Sequence, residues 1–255
     1  MNDPWRSPFL VFPLSFVAMW LSVWIGVLLR KRHQDMDKDV GHDFELITAS
    51  TLTLLGLIIG FTFSMAINRY DQRKNYEEAE ANSIGTEYVR ADLLPASDAA
   101  RVRKLLKDYL DQRILFYQTR DARDLQQINA RTANLQAELW SAVQVPATAQ
   151  QTPVLALTLS GMNDVLNSQG YTQAAWWNRI PIGAWGLMAA VAICACLLVG
   201  YTAHRALEGH IRLLILPIIL TIAFFLIADI DAPRRGAILV LPQNLLSLAQ
   251  SLPGR

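Results

Sequence analysis

The run Thr48-Ala49-Ser50-Thr51-Leu52-Thr53-Leu54-Leu55-Gly56-Leu57-Ile58-Ile59-Gly60-Phe61-Thr62-Phe63-Ser64-Met65-Ala66-Ile67-Asn68-Arg69-Tyr70 decides the architecture. Its charge-free part, Leu46–Asn68, exceeds the roughly 20 apolar residues that a bilayer crossing requires. Yet it carries a row of Thr and Ser hydroxyls with Gly56 and Gly60, and it passes without a breaker into a charged helix. Two readings fit these residues equally. Either the helix lines water at one end, or it is a packing helix whose hydroxyls bond back to carbonyls one turn earlier. The Gly-x-x-x-Gly spacing permits close helix approach in both.

Outward from this run, three further windows lack Asp, Glu, Lys and Arg: Ser7–Leu29, Ile180–Ala203 and Leu213–Ala228. The first two are long enough to span; the last reaches that length by tilting or by beginning near Ile211. Hydrophobic residues make up 52% of the 255 and charged residues 18%, against about 25% charged in ordinary globular domains. The expected class is an all-α polytopic membrane protein with four spans, near 9–29, 46–68, 181–202 and 211–228. The N-terminal stretch is too long for a signal h-region and ends in Arg30-Lys31-Arg32 rather than in a cleavage site. Trp5, Trp20 and Trp24, with Trp176, Trp177 and Trp185, suit interfacial anchoring.

The expected organisation is a first hairpin over 1–68, a helical insert over 69–179, a second hairpin over 180–228 and a tail over 229–255. Helical spacing of Ala81, Ile84, Tyr88 and Ala91 extends the second span to Leu94, where Pro95 breaks it. Ser97 with Asp98 suits the next N-cap. An apolar stripe then covers Asp98–Thr119, and a second covers Asp121–Val143. Residues 145–153 read as a linker by their Pro, Ala, Thr and Gln content, and Thr158–Ala175 as a weaker helix. The uncharged tail Gly236–Leu252 is expected to pack on the insert or on a neighbouring subunit.

Composition and motif exclude several functions. With 23 basic and 22 acidic residues there is no broad electrostatic footprint for nucleic acid. No clustered glycines follow a strand, so phosphate-loop readings fail. No catalytic set appears, and the protein reads as a non-enzyme. Glu77 and Glu78 lie among Arg and Lys, where solvated ion pairs are the default. Cys194 and Cys196, two apart on a helix, point to nearly opposite sides and form no bridge. His204 and His210 flank Glu208, but their spacing of six does not put two imidazoles on one helical face, so a metal or haem redox site is the weakest reading. The first loop, Asp35-Met36-Asp37-Lys38-Asp39-Val40-Gly41-His42-Asp43-Phe44-Glu45, resembles a calcium loop. Its glycine falls one position late and its closing acid one early, so a solvated acidic turn fits better than Ca2+ held by Asp35, Asp37 and Asp39.

Leu57-Ile58-Ile59-Gly60-Phe61 with Arg69-Tyr70 resembles the pore helix of bestrophins, where Phe-x-x-Gly-Phe precedes Arg-Trp at the same interval. Further runs look more closely like the bacterial bestrophin-like domain family. These are Gly60–Ser64, Glu78-Ala79-x-Ala81-Asn82-x-Ile84-Gly85-Thr86, Arg90-Ala91-Asp92-Leu93-Leu94-Pro95 and Asp229-Ile230-Asp231-Ala232-Pro233-Arg234-Arg235-Gly236. The resemblance implies a homopentameric, chiefly anion-conducting (chloride) channel of the bacterial inner membrane, with termini and insert cytoplasmic. Charge alone does not orient it. Arg6, Arg69, Arg73, Lys74, Arg179, Arg234 and Arg235 on one side face Arg30, Lys31, Arg32, Lys38, Arg205 and Arg212 on the other. The resemblance also implies second spans around a common axis, with an apolar neck at Thr53, Leu57 and Phe61. At about 1.5 Å per residue that neck is on the order of 12 Å long, and rings of Leu57 and Phe61 would close it by dewetting. Thr53 departs from the apolar residue expected there. Gly60, Ser64, Asn68 and Arg69 would line the path or its inner mouth. Bestrophins bind calcium near Glu-Asn-Pro-Phe-Gly after the last span. Asp229 and Asp231 occupy a similar place, but Arg234 and Arg235 intrude, and a salt-bridged turn of Asp231 with these arginines is the favoured alternative. From another class comes a membrane-anchored interaction or sensor protein, docking a partner through the insert's amphipathic helices.

Overall fold

The structure, a computed structural model, describes residues 7–31, 43–203 and 212–253 in full, and only the backbone of 32, 38–42, 210 and 211. The acidic loop with Asp35, Asp37 and Asp39, and the pair His204 and His210, fall outside the described side chains, as does Trp5. Among the described residues there is helix and no strand. Helix α1 is Pro8–Arg32, α2 Lys38–Arg90, α3 Ala96–Gln118, α4 Ala122–Ala149, α5 Pro153–Trp177, α6 Ile182–Thr202, α7 His210–Asp231 and α8 Gln243–Ser251. Four stretches are long and apolar enough to cross a membrane: Pro8–Lys31, Asp43–Leu93, Pro153–Thr202 and Arg212–Asp231. The chain is an all-α membrane protein with four candidate spans.

Local chemistry sets the breaks. Pro95 disfavours helix at the residue before it, and Leu94 is extended at φ −87° and ψ 160°. The cap of α3 is then Pro95 itself, with no side-chain hydrogen bond, and neither Ser97 nor Asp98 caps it. The Asp121 carboxylate accepts from the amides of Arg123 and Asp124 and starts α4. Thr152 accepts from the Leu155 amide and starts α5, whose first residue is Pro153, where a missing N–H is harmless. The proposed linker is mostly helix: α4 continues to Ala149 through Pro146. Pro146 stands in the last turn of α4 and is buried. That position limits the usual cost of an internal proline, because only the final turn must continue beyond it.

The chain divides into two compact units, residues 1–69 with 179–238, and 70–178 with 239–255. In the first, α1 packs on α6 and α7, and α6 on α7. Gly26 of α1 and Gly200 of α6 are reciprocal. A Cβ at Gly26 would strike the Leu197 carbonyl, and one at Gly200 the Val23 carbonyl. Small residues let helix backbones meet in lipid, where burial of apolar surface gives no drive between helices. By contrast, nothing lies within 4 Å of a Cβ built on Gly56 or Gly60. The Gly-x-x-x-Gly pair of α2 is not a contact within this chain. Cys194 is exposed and Cys196 buried, on opposite sides of α6.

The second unit has its own core. Val102, Leu106, Tyr109 and Leu110 of α3 meet Leu135 and Leu139 of α4, Met162 and Val165 of α5, and Ile84 of α2. The tail joins this core through Val240, Leu245, Ala249 and Leu252, whereas residues 229–238 belong to the first unit. Trp176 is no interfacial anchor: it is 5% exposed and stacks edge-on against Phe116 and Tyr117, with centroids at 5.0 and 5.4 Å. Trp177 beside it is exposed.

Gly200→Val is expected to lower the stability of the detergent-solubilised protein by about 1–3 kcal/mol, as over-packing at a backbone contact does. A thermal melt unchanged from wild type would mean that α1 and α6 do not meet there.

Candidate functional site

Helix α2 between Leu46 and Asn68 has two unlike faces. Thr48, Leu55, Thr62 and Ala66 are buried. Ser50, Thr53, Leu57, Gly60, Phe61, Ser64 and Asn68 are exposed, at the 3–4 spacing of one helical face. Leu57 is 54% and Phe61 66% exposed, so neither belongs to this chain's core. The hydroxyls do bond back one turn. Thr48 donates to the Phe44 carbonyl at 2.7 Å, Ser50 to Leu46 at 2.9 Å, Thr53 to Ala49 at 2.9 Å and Thr62 to Ile58 at 2.8 Å. Back-bonding uses the hydroxyl hydrogen and leaves oxygen lone pairs to accept from water. It therefore fits both sequence readings and separates neither.

The neighbouring spans separate them better. The exposed face of α1 between Phe9 and Leu29 is Phe, Leu, Val, Trp, Ile and one Pro. That of α7 between Ile215 and Leu226 is Ile and Leu only. These are surfaces for hydrocarbon. The uncovered face of α2 interleaves Ser50, Thr53, Gly60, Ser64 and Asn68 with its large apolar side chains.

At the C-terminal end of this stretch, exposed Asn68 is followed by Arg69, which turns away from that face. Its guanidinium lies 4.0 Å from Asp231, with the side chain 15% exposed, and also donates to the Met65 sulfur at 3.7 Å. Asp231 accepts from the Ile180 amide at 3.1 Å. The Asp229 carboxylate accepts from the amides of Ala237 at 2.7 Å and Ile238 at 2.8 Å. A Cβ on Gly236 would meet the Asp229 carbonyl at 2.6 Å, so this turn needs glycine. Asp229 thus holds the backbone after α7, and Asp231, beside Arg69, holds the backbone before α6. Among the described residues no three His, Cys, Asp or Glu gather as a metal site would require.

The charged part of α2 departs from the solvated reading. Glu77 is 2% exposed. It accepts from Asn244 Nδ2 at 2.6 Å and from the Leu245 amide at 2.9 Å, and so caps the N-terminus of α8 from another helix. Glu78 is exposed. Glu80 and Arg113 form a fully buried ion pair. Thr172 donates to Glu80 at 3.1 Å and Tyr117 at 3.4 Å, and the Arg113 guanidinium lies 4.4 Å over the Phe116 ring. Burial, reinforced by the Glu80 charge, pushes the Tyr109 and Tyr117 phenols above their usual range. Sequence reasoning missed this group, yet a signal existed. Glu77, Glu80, Ile84, Glu87 and Ala91 follow one another at steps of three or four, on the same helical stripe.

With this geometry in view, the chain matches the family described as Bestrophin-like domain over residues 14–245, and it belongs to that family. A bacterial bestrophin homologue from Klebsiella pneumoniae is similar in fold, with a TM-score of 0.62 at 13% identity, covering 96% of this chain and 99% of that one. A variant of that Klebsiella pneumoniae homologue with a tryptophan changed to alanine gives 0.63 at 13%, covering 94% and 97%. A tyrosine-to-alanine variant gives 0.62 at 14%, covering 93% and 98%. No curated protein matches the sequence.

Glu80→Ala leaves Arg113 charged and unpaired in the core. It is expected to destabilise the protein by about 3–5 kcal/mol, the usual consequence of breaking one side of a buried pair. Denaturant unfolding checks this, and a change below about 1 kcal/mol would contradict the buried pairing.

Proposed function

We propose that copies of this chain assemble as a homopentamer into an ion channel of the bacterial inner membrane, with the exposed face of α2 turned to the common axis. The carrying observation is that this face mixes hydroxyls, glycine and amide with apolar rings, while the exposed positions of α1 from Phe9 to Leu29 and of α7 from Ile215 to Leu226 are wholly apolar. A surface of that kind suits water and neighbouring copies better than acyl chains. Leu57 and Phe61 form the hydrophobic neck, which closes by dewetting. Thr53 widens and wets its far end, and Gly60, Ser64 and Asn68 line the path beyond. The conducted ions are small anions such as chloride. Membership of the bestrophin-like family supports this reading, which places the termini and residues 69–179 in the cytoplasm.

In this reading Arg69 sets the electrostatics of the mouth only indirectly, because Asp231 lies beside it. The amphipathic insert supplies little for the docking-module reading: the stripes of α3 and α4 that suggested a partner are taken up in the core they share with α2, α5 and α8.

Leu57→Ala with Phe61→Ala removes two apolar rings from the neck. In liposome flux or planar-bilayer recording the double variant is expected to conduct at least severalfold more than wild type. Silence of both proteins, with protein insertion verified, would count against conduction through α2.

A further inference from the structure

Away from the spans, one group in the second unit has an unusual setting. Glu87 of α2 is 0% exposed, and both its carboxyl oxygens are buried without a hydrogen-bond partner. Each of the other buried glutamates on this stripe is satisfied: Glu77 by α8, and Glu80 by Arg113, Thr172 and Tyr117. Glu87 faces α5 at Gly161. A Cβ there would overlap Glu87 Oε2 and the Arg90 guanidinium, so the glycine leaves the space that the carboxyl fills. One turn away Thr158 donates to the Arg90 carbonyl at 3.4 Å, a second tie between α2 and α5.

We propose that Glu87 is a proton-operated switch of the α2–α5 contact: as the neutral acid it lets α5 seat at Gly161, and as the carboxylate it forces α5 off. An uncharged carboxyl is buried without partners at far smaller cost than an ionised one, and Arg90, though close by, makes no hydrogen bond to either oxygen. On ionisation the proton leaves to solvent, and the carboxylate regains hydration only if Gly161 withdraws. The charged groups around it oppose one another. Arg90 on α2 favours the anion, and Asp164 on α5 disfavours it. The adjoining turn and α3 contribute Asp92 and Arg103, which pair with each other. Burial raises the Glu87 carboxyl from 4.5 to about 8, with Arg90 lowering it and Asp164 raising it further. The sign follows from that. The folded state holds the proton more tightly than the unfolded chain, so this group's stabilisation is complete below about 4.5 and is lost as pH rises through about 8. Nothing in this inference depends on the channel reading.

The test is amide hydrogen exchange of the full-length protein in detergent, corrected for the intrinsic pH dependence of exchange. In wild type, protection over Thr158–Val165 is expected to fall on the order of tenfold or more between about pH 6 and about pH 9, since one unit of pKa difference is a tenfold change in equilibrium. Glu87→Gln, neutral at all pH, is expected to show no such fall. Asp164→Asn removes a charge that opposes ionisation and is expected to move the midpoint to lower pH. A flat wild-type profile overturns the proposal. So does a Glu87→Gln profile that still falls. If Glu87→Gln does not fold, an Asp164→Asn midpoint that stays in place or rises overturns it.

Discussion

Hydrocarbon offers no hydrogen bonds, and this constraint orders the molecule. A span that faces lipid must close its polar groups on itself and show apolar side chains outward. Helices α1 and α7 obey on every exposed position between their ends. Helix α2 obeys with its hydroxyl hydrogens, which return to carbonyls four residues back, but not with its surface. Gly60 and Gly56 sit over open space, and Ser50, Thr53, Ser64 and Asn68 stand uncovered between Leu57 and Phe61. A single chain leaves that face without a counterpart. In the proposed assembly, other copies and a water-filled axis supply one.

The second unit solves a different problem with charge. Along α2 the buried stripe carries Arg73, Glu77, Glu80 and Glu87, where a small helical core would ordinarily carry Leu or Ile. Each charge has been given a separate condition. Glu80 is neutralised by Arg113, Glu77 is stabilised by the amide end of α8, and Arg73 donates to the Ala175 carbonyl at 3.4 Å. Glu87 is left to its proton. Burying such groups adds little net stability compared with apolar side chains, but it restricts which partners each helix accepts. The Glu77 contact fixes the register of the tail, because only the first turn of α8 presents free amides. The same logic holds in the first unit, where Asp229 and Asp231 use carboxylates to bind the backbone after α7 and before α6.

What was legible in the sequence follows the strength of the physical signal. Each charge-free window falls on a helix long and apolar enough to cross a membrane, because a bilayer tolerates few charged exceptions. Pro95 marked a helix end through steric clash, whereas the cap expected at Ser97 with Asp98 is not used and the Asp121 cap carried no recognised signal. Pro146 misled: a composition of Pro, Ala, Thr and Gln suggested a linker, but burial of Pro146 with Val143 carried α4 onward. Gly56 and Gly60 advertised a helix contact, whereas the intrachain contact lies at Gly26 and Gly200, which are far apart in sequence and carry no motif. Glu77 looked solvated because Lys74 and Glu78 surround it in the chain. Its fate was decided by the tail, a contact that no local pattern records. Trp176 and Trp177 are adjacent and chemically identical, yet one fills a core and the other is exposed.

The proposed channel stands or falls on what covers the α2 face, and imaging of the purified particle in lipid addresses that directly. It predicts a closed ring of five copies, with Leu57 and Phe61 of each α2 pointing at the symmetry axis. A lone chain, or a ring with those two side chains on its outer, lipid-covered wall, would contradict it.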